Sequence, residues 1–247
     1  MTREILVLAD EAAVAAETAD RLVAAARNAI RRRGVFRIAL SGGTTPLLVY
    51  PLLLTAPRVD AVDWSLVEWF WADERAVPPT DLDSNYNAAL GVFLSDLPGV
   101  RLSAVHRMEA ERTDLDAAAR DYQVEIAQAF GIPANGATLP VFDVVWLGLG
   151  RDGHTASLFP GSEALAERRR WVVGNWAPGP AGWRMTLTYP VLNASRQAIF
   201  QACGPGKDAA FAAALSGDPP VPAAKVRARR TVWIVDRAVA GEAVEAA

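Results

Sequence analysis

The sequence predicts an α/β fold, a mainly parallel sheet with helices on both faces. Three observations carry this. Short apolar runs alternate with helical stretches from end to end. One run, "FDVVWLGLG" (142–150), is apolar on successive positions, the pattern of a strand covered on both faces. And 51% of the 247 residues are hydrophobic with an ordinary charged fraction, enough for a packed core and unlike a disordered chain.

The elements follow in order. A short strand at Ile5–Leu8 precedes an alanine-rich stretch from about Ala12 to Arg33, whose apolar spacing near 3.6 predicts a helix ended by Gly34. "FRIAL" (36–40) is a strand running into "SGGTTP", after which "LLVYPLLL" is expected to continue as a helix. "LVEWFWA" (66–72) reads as a buried strand, and "SNYNAALGVFL" (84–94) as a helix begun by a serine cap. Residues 117–130 form a helix closed by Gly131; "RMTLTYP" and "QAIFQACG" are strands, "GKDAAFAAAL" a helix and "RTVWIVD" (230–236) the last strand. No repeat or low-complexity linker divides the chain, so one domain over 1–247 is expected.

Composition excludes several classes. With 25 basic and 28 acidic residues the net charge is −3, which disfavours non-specific nucleic-acid binding. Cys203 is the single cysteine, so no intrachain disulfide can form. Neither a signal peptide nor an apolar run of membrane-spanning length is found, and a cytoplasmic protein without membrane contact is expected. Two histidines and one cysteine show no zinc spacing, and no GxSxG elbow offers a serine nucleophile.

In such folds ligands sit beyond the carboxyl ends of the strands, where the polar motifs fall. Ser41-Gly42-Gly43-Thr44-Thr45-Pro46 joins a strand to a helix. Its glycines let the backbone approach a ligand, and its hydroxyls and helix-start N–H groups suit an anion; a plain strand-to-helix turn is the alternative. Asp73-Glu74-Arg75 closes the strand at 66–72 with "SNYN" ten residues on, as a ligand wall or as a solvated loop. In Gly148–Phe159 a glycine-flexed turn presents Asp152 and His154. Histidine, with an unperturbed pKa near ~6.5, can act as a general base at neutral pH. A capping histidine at a helix start is the alternative. His106, which no glycine turn or acid presents, reads as structural or peripheral. Arg184 sits beside an apolar strand, and Lys207 begins a helix, the wrong sign for the helix dipole. Only Lys207 and Lys225 are lysines, so a lysine kept there suggests a ligand anion, with a surface lysine as the alternative.

Together "ALSGGTTP", "WADERAVPPTDLDSNY", "LGLGRDGHTASLFPGS", "RMTLTYPVLN" and "GPGKDAAF" resemble, in order and spacing, the 6-phosphogluconolactonase family. The wider superfamily includes glucosamine-6-phosphate deaminases and sugar-responsive regulators, on a Rossmann-like fold related to ribose-5-phosphate isomerase. The resemblance implies hydrolysis of a sugar-phosphate lactone without metal or other cofactor, in a monomer or small homo-oligomer. His154 would activate water with Asp152 beside it. Ser41, Gly42, Gly43, Thr44, Thr45, Arg184 and Lys207 would hold the phosphate. Asp73 and Arg75 would line the sugar site. A nearby cation or backbone N–H should meet the oxyanion, and Arg75 is the residue expected to do so. The deaminases carry a glutamate where this chain has Phe159, which disfavours ring-opening isomerisation. A regulator would need a DNA-binding module, for which the sequence leaves no room ahead of the first strand. Arg151 occupies a variable position of the block.

Overall fold

The computed structural model describes residues 1–177 and 182–241. In chain order the strands and helices are β1 (Thr2–Leu8), α1 (Glu11–Arg33), β2 (Phe36–Leu40), α2 (Thr44–Leu47), α3 (Tyr50–Leu53), β3 (Val67–Trp71), β4 (Asp73–Arg75), α4 (Asn85–Ala89), α5 (Leu115–Phe130), β5 (Val144–Gly148), β6 (Val172–Ala177), β7 (Gly182–Leu187), α6 (Tyr189–Ala194), β8 (Gln197–Ala202), α7 (Asp208–Ser216), β9 (Arg230–Asp236) and α8 (Arg237–Ala240). Six strands form one sheet in the order β1-β9-β8-β5-β2-β3, with every neighbouring pair parallel. Val144 to Leu147 are all buried, so both faces of the central strand are covered, as the unbroken apolar run predicts.

Local chemistry explains the helix ends. The Asp10 carboxylate accepts from the Ala13 N–H at the start of α1, and Gly34 takes the left-handed conformation at its end (φ 76°). Asp114 and Gly131 do the same for α5. Ser84 accepts from the Asn87 N–H, as its sequence position predicts, and a π-helical turn at Leu90–Leu94 continues α4. "LLVYPLLL" is not one helix. Pro51 has no N–H to give to the preceding turn, and the segment breaks into α2 and α3.

The larger correction is a second sheet. Strands β4, β7 and β6 pair antiparallel, separate from the parallel sheet, so strand and helix do not alternate throughout. Asp73-Glu74-Arg75 is therefore a strand and not a solvated loop; Asp73 and Glu74 are buried. The sequence reading gave no strand at β6, and it carried β7 through Tyr189-Pro190, which instead begin α6. Ala72 is the crossing point. Its N–H donates to Leu40 O of the parallel sheet (2.7 Å), while its own carbonyl accepts from the Leu187 N–H of the small sheet (2.8 Å).

Candidate active site

The carboxyl ends of β2, β5 and β8 and the near face of the small sheet enclose a cleft of about 390 Å³. Ser41, Gly42, Gly43, Thr44, Thr45, Asp73, Arg75, His154, Arg184 and Lys207 all line it. Asp152 does not, and reaches the cleft only through His154.

The SGGTT turn is held from both sides. Gly43 has φ 92°, a conformation side chains resist, and Gly42 lies directly against the Asn85 amide, where a Cβ would sit 1.7 Å from Oδ1. Asn85 Nδ2 donates to Asp73 O at 2.8 Å. On the other side Trp146 Nε1 donates to Gln201 Oε1 (3.1 Å), and Gln201 Nε2 donates to Thr45 O (3.3 Å).

His154 sits on a turn that no helix continues, so it is not a helix cap. Its Nδ1 lies 2.5 Å from Asp152 Oδ1, and its backbone N–H donates to the same oxygen at 3.1 Å. Burial pushes the Asp152 carboxyl up, but the hydrogen bonds and charge of His154 pull harder and hold it below the ordinary carboxylate value. A carboxylate only accepts, so Nδ1 carries a proton, and in the neutral ring the lone pair is then on Nε2. Phe159 packs on the imidazole, centroids 4.4 Å apart. Gly150 leaves room for the ring: a Cβ there would lie 2.1 Å from Nδ1.

Cations also line the cleft. Arg75 and Arg184 are register partners across β4 and β7. Burial, then the neighbouring Arg75 charge, lowers Arg184 from its ordinary value, with Asp73, Glu74 and Asp83 opposing. The Arg75 guanidinium donates to Asp83 O, while its buried Nε finds no acceptor among the described residues. Lys207 precedes α7; burial lowers its ammonium below the ordinary lysine value, and Cys203 and Asp236 oppose that shift. Three partly desolvated cations around one cavity favour an anionic ligand. Burial pushes the Cys203 thiol up to about 12, so it is not a nucleophile at neutral pH.

Sequence reasoning missed Glu74, Asn85 and Ser157 as individual site residues. The Glu74 carboxylate accepts from Ser84 Oγ (3.1 Å) and the N–H groups of Asn85 and Tyr86 (both 2.8 Å), clasping the SNY segment to β4. The ten-residue interval between DER and SNYN was the signal. His106 lies outside the cleft, stacked on Phe70 at 4.3 Å with Nδ1 2.8 Å from Glu125. Among the described residues no group of three or more His, Cys, Asp or Glu is placed to hold a metal, and no helix is long and apolar enough to cross a membrane.

Known proteins resemble this chain over nearly its whole length. Residues 9–233 match the family model for glucosamine-6-phosphate isomerases/6-phosphogluconolactonase. The chain is 36% identical to a 6-phosphogluconolactonase of Streptomyces coelicolor, over 98% of this chain and 95% of that one. It is 37% identical to a 6-phosphogluconolactonase of Mycobacterium tuberculosis, over 98% and 99%. Among solved structures, a 6-phosphogluconolactonase from Trypanosoma cruzi superposes with a TM-score of 0.83 at 29% identity, covering 97% of both chains. A monomeric glucosamine-6-phosphate deaminase shares the fold alone, at 19% identity and a TM-score of 0.77.

Proposed function

The chain belongs to the glucosamine-6-phosphate isomerase/6-phosphogluconolactonase family, and on that premise we propose that it hydrolyses 6-phospho-D-glucono-1,5-lactone to 6-phosphogluconate. The observation that carries this reading is one cleft holding both a histidine base and an anion clamp. His154 is backed by Asp152 on Nδ1, and the SGGTT turn, Arg184 and Lys207 line the same cavity. The glutamate of the deaminases is replaced by Phe159, whose ring supports the imidazole and supplies no proton carrier.

In the proposed mechanism neutral His154 takes a proton from water as the oxygen attacks C1. The carbonyl oxygen becomes an oxyanion, which Arg75 meets. When the tetrahedral intermediate collapses, the C1–ring oxygen bond breaks and the imidazolium returns its proton to that oxygen, restoring neutral His154. Asp152 stabilises the imidazolium between the two transfers. The phosphate remains bound to Thr44, Thr45, Arg184 and Lys207, and Asp73 and Arg75 hold the sugar. No step calls for a metal or other cofactor. In this reading the whole chain is one cytoplasmic domain serving the oxidative pentose phosphate pathway, with the phosphorylated lactone as its partner.

The test is direct. The purified protein should release acid from the phosphorylated lactone well above the uncatalysed rate, and no ammonia from glucosamine 6-phosphate. His154→Ala should lower turnover by roughly 10²–10⁴, the usual worth of a positioned base. Ammonia release by the wild type, or near-normal turnover in the variant, would overturn the reading.

A further inference from the structure

We propose that Ser157 is a positioning residue: its hydroxyl aims the Asp73 carboxylate at the sugar hydroxyls of the substrate. The inference rests on the lactonase reading and extends it to a residue three positions beyond the base.

Ser157 is fully buried, and all three of its polar groups are engaged, one with each strand of the small sheet. Its Oγ donates to Asp73 Oδ2 on β4 at 2.6 Å. Its N–H donates to Thr186 Oγ1 on β7 at 3.2 Å, and its carbonyl accepts from Asn175 Nδ2 on β6 at 2.7 Å. Ser157 thus fastens the segment that carries His154 to the small sheet. The backbone is bent to allow this. Ala156, immediately before, has φ 46°, the one non-glycine among the described residues at positive φ, and such strain persists only where its surroundings impose it.

A carboxylate has two oxygens to place. Ser157 occupies Oδ2, and no described residue donates to Oδ1 of this buried group, which lines the cleft. Oδ1 is therefore the acceptor left for a sugar hydroxyl. The hydroxyl proton of Ser157 is committed to Asp73, so the serine holds Asp73 in aim and does not itself attack the lactone. With the hydroxyl removed, Asp73 loses the contact that fixes its rotation.

A double-mutant cycle on the full chain tests this, with KM and kcat measured for the phosphorylated lactone. Ser157→Ala should raise KM about tenfold with kcat within about threefold, and Asp73→Ala should raise KM by at least as much. The double variant should be no worse than Asp73→Ala, because a residue that acts only through Asp73 has nothing left to act on. Ser157→Cys, which keeps a weak donor, should fall between wild type and Ser157→Ala. A Ser157→Ala enzyme within twofold of the wild-type KM would overturn the proposal. So would a Ser157→Ala loss that multiplies in full on the Asp73→Ala background, the result of a merely structural role. If Ser157→Ala does not fold, a Ser157→Cys enzyme with wild-type KM overturns it instead. A wild-type chain inactive on the lactone would sink the lactonase reading together with this inference; an active one with multiplying losses would sink the inference alone.

Discussion

Gly150→Ala should cripple catalysis while leaving the protein folded and its substrate bound. Gly150 is not among the glycines held at positive φ, so the backbone can accept alanine there. The obstacle is local. The added Cβ would lie 2.1 Å from His154 Nδ1, 2.2 Å from Cε1 and 2.7 Å from Asp152 Oδ1. Carbon contacts settle at about 3.5–4.0 Å, so the imidazole must retreat by more than ~1 Å and its 2.5 Å contact with Asp152 cannot survive unchanged. A misplacement of that size costs about 10²-fold, or roughly 2.7 kcal/mol of barrier, and complete loss of a base up to about 10⁴-fold. The expected result is therefore a kcat lower by about 10²-fold. KM should stay within about threefold, because the anion clamp is built from other loops. Steady-state hydrolysis of the phosphorylated lactone, corrected for the uncatalysed rate, reads both constants, and a thermal melt confirms the fold. A folded Gly150→Ala enzyme with kcat within threefold of wild type would refute the reasoning that the position of this ring limits the reaction.

The clamp and the absence of a metal step make three further predictions. Lys207→Ala should raise KM and lower kcat for the phosphorylated lactone by a combined factor of about 10² or less, yet barely change the poor hydrolysis of gluconolactone without its phosphate. Equal damage to both substrates would show that Lys207 does not read the phosphate. The same lysine sets an alkaline limit: burial lowers its ammonium, and the cation exists only below that lowered value. Binding of 6-phosphogluconate measured calorimetrically should therefore weaken as pH rises through a range below the ordinary lysine value, and Lys207→Arg should abolish that weakening. Prolonged treatment with EDTA or phenanthroline should leave lactone hydrolysis unchanged; a loss restored by zinc or magnesium would overturn the proposed mechanism.

How much of this was legible beforehand depended on whether the signal was local. The strands at 36–40, 66–72 and 142–150 announce themselves because burial on both faces writes a mostly apolar run, broken only by Arg37, Glu68 and Asp143. Their carboxyl ends then locate the glycine turns. Lys207 could be singled out because the chain has only one other lysine. The small sheet left no such trace. A segment reading Asp-Glu-Arg looks like solvated loop, and its burial is offset by donors that arrive from elsewhere, Ser157 for Asp73 and Ser84, Asn85 and Tyr86 for Glu74. Strand β6, with Gly174 and Asn175 in its middle, lacks a clean two-residue alternation. The facing of Arg75 and Arg184 is likewise a product of strand pairing, which spacing along the chain cannot reveal. The proline in "YPLL" falls inside the expected helix, and its missing N–H accompanies the break into two.

The pairing of the first strand with the last bears on how the molecule is made. Strand β1 occupies an edge of the parallel sheet, and among the described strands it pairs with β9 alone, Thr2 lying beside Arg230. As the polypeptide leaves the ribosome, β2, β3, β5 and β8 can find one another while β1 still has no strand to join, and contacts so distant in sequence form slowly. The Glu4 carboxylate shows what can hold it meanwhile. It bonds Arg21 of α1 at 2.6 Å and Arg230 of β9 at 2.5 Å. The first bond needs only the opening thirty-odd residues and can tether the nascent strand to its own helix. The second closes when the final strand is released, so a product stopped short of Arg230 would keep the glycines, the histidine and the lysine of the cleft and yet leave β1 unpartnered and the flank of β8 bare.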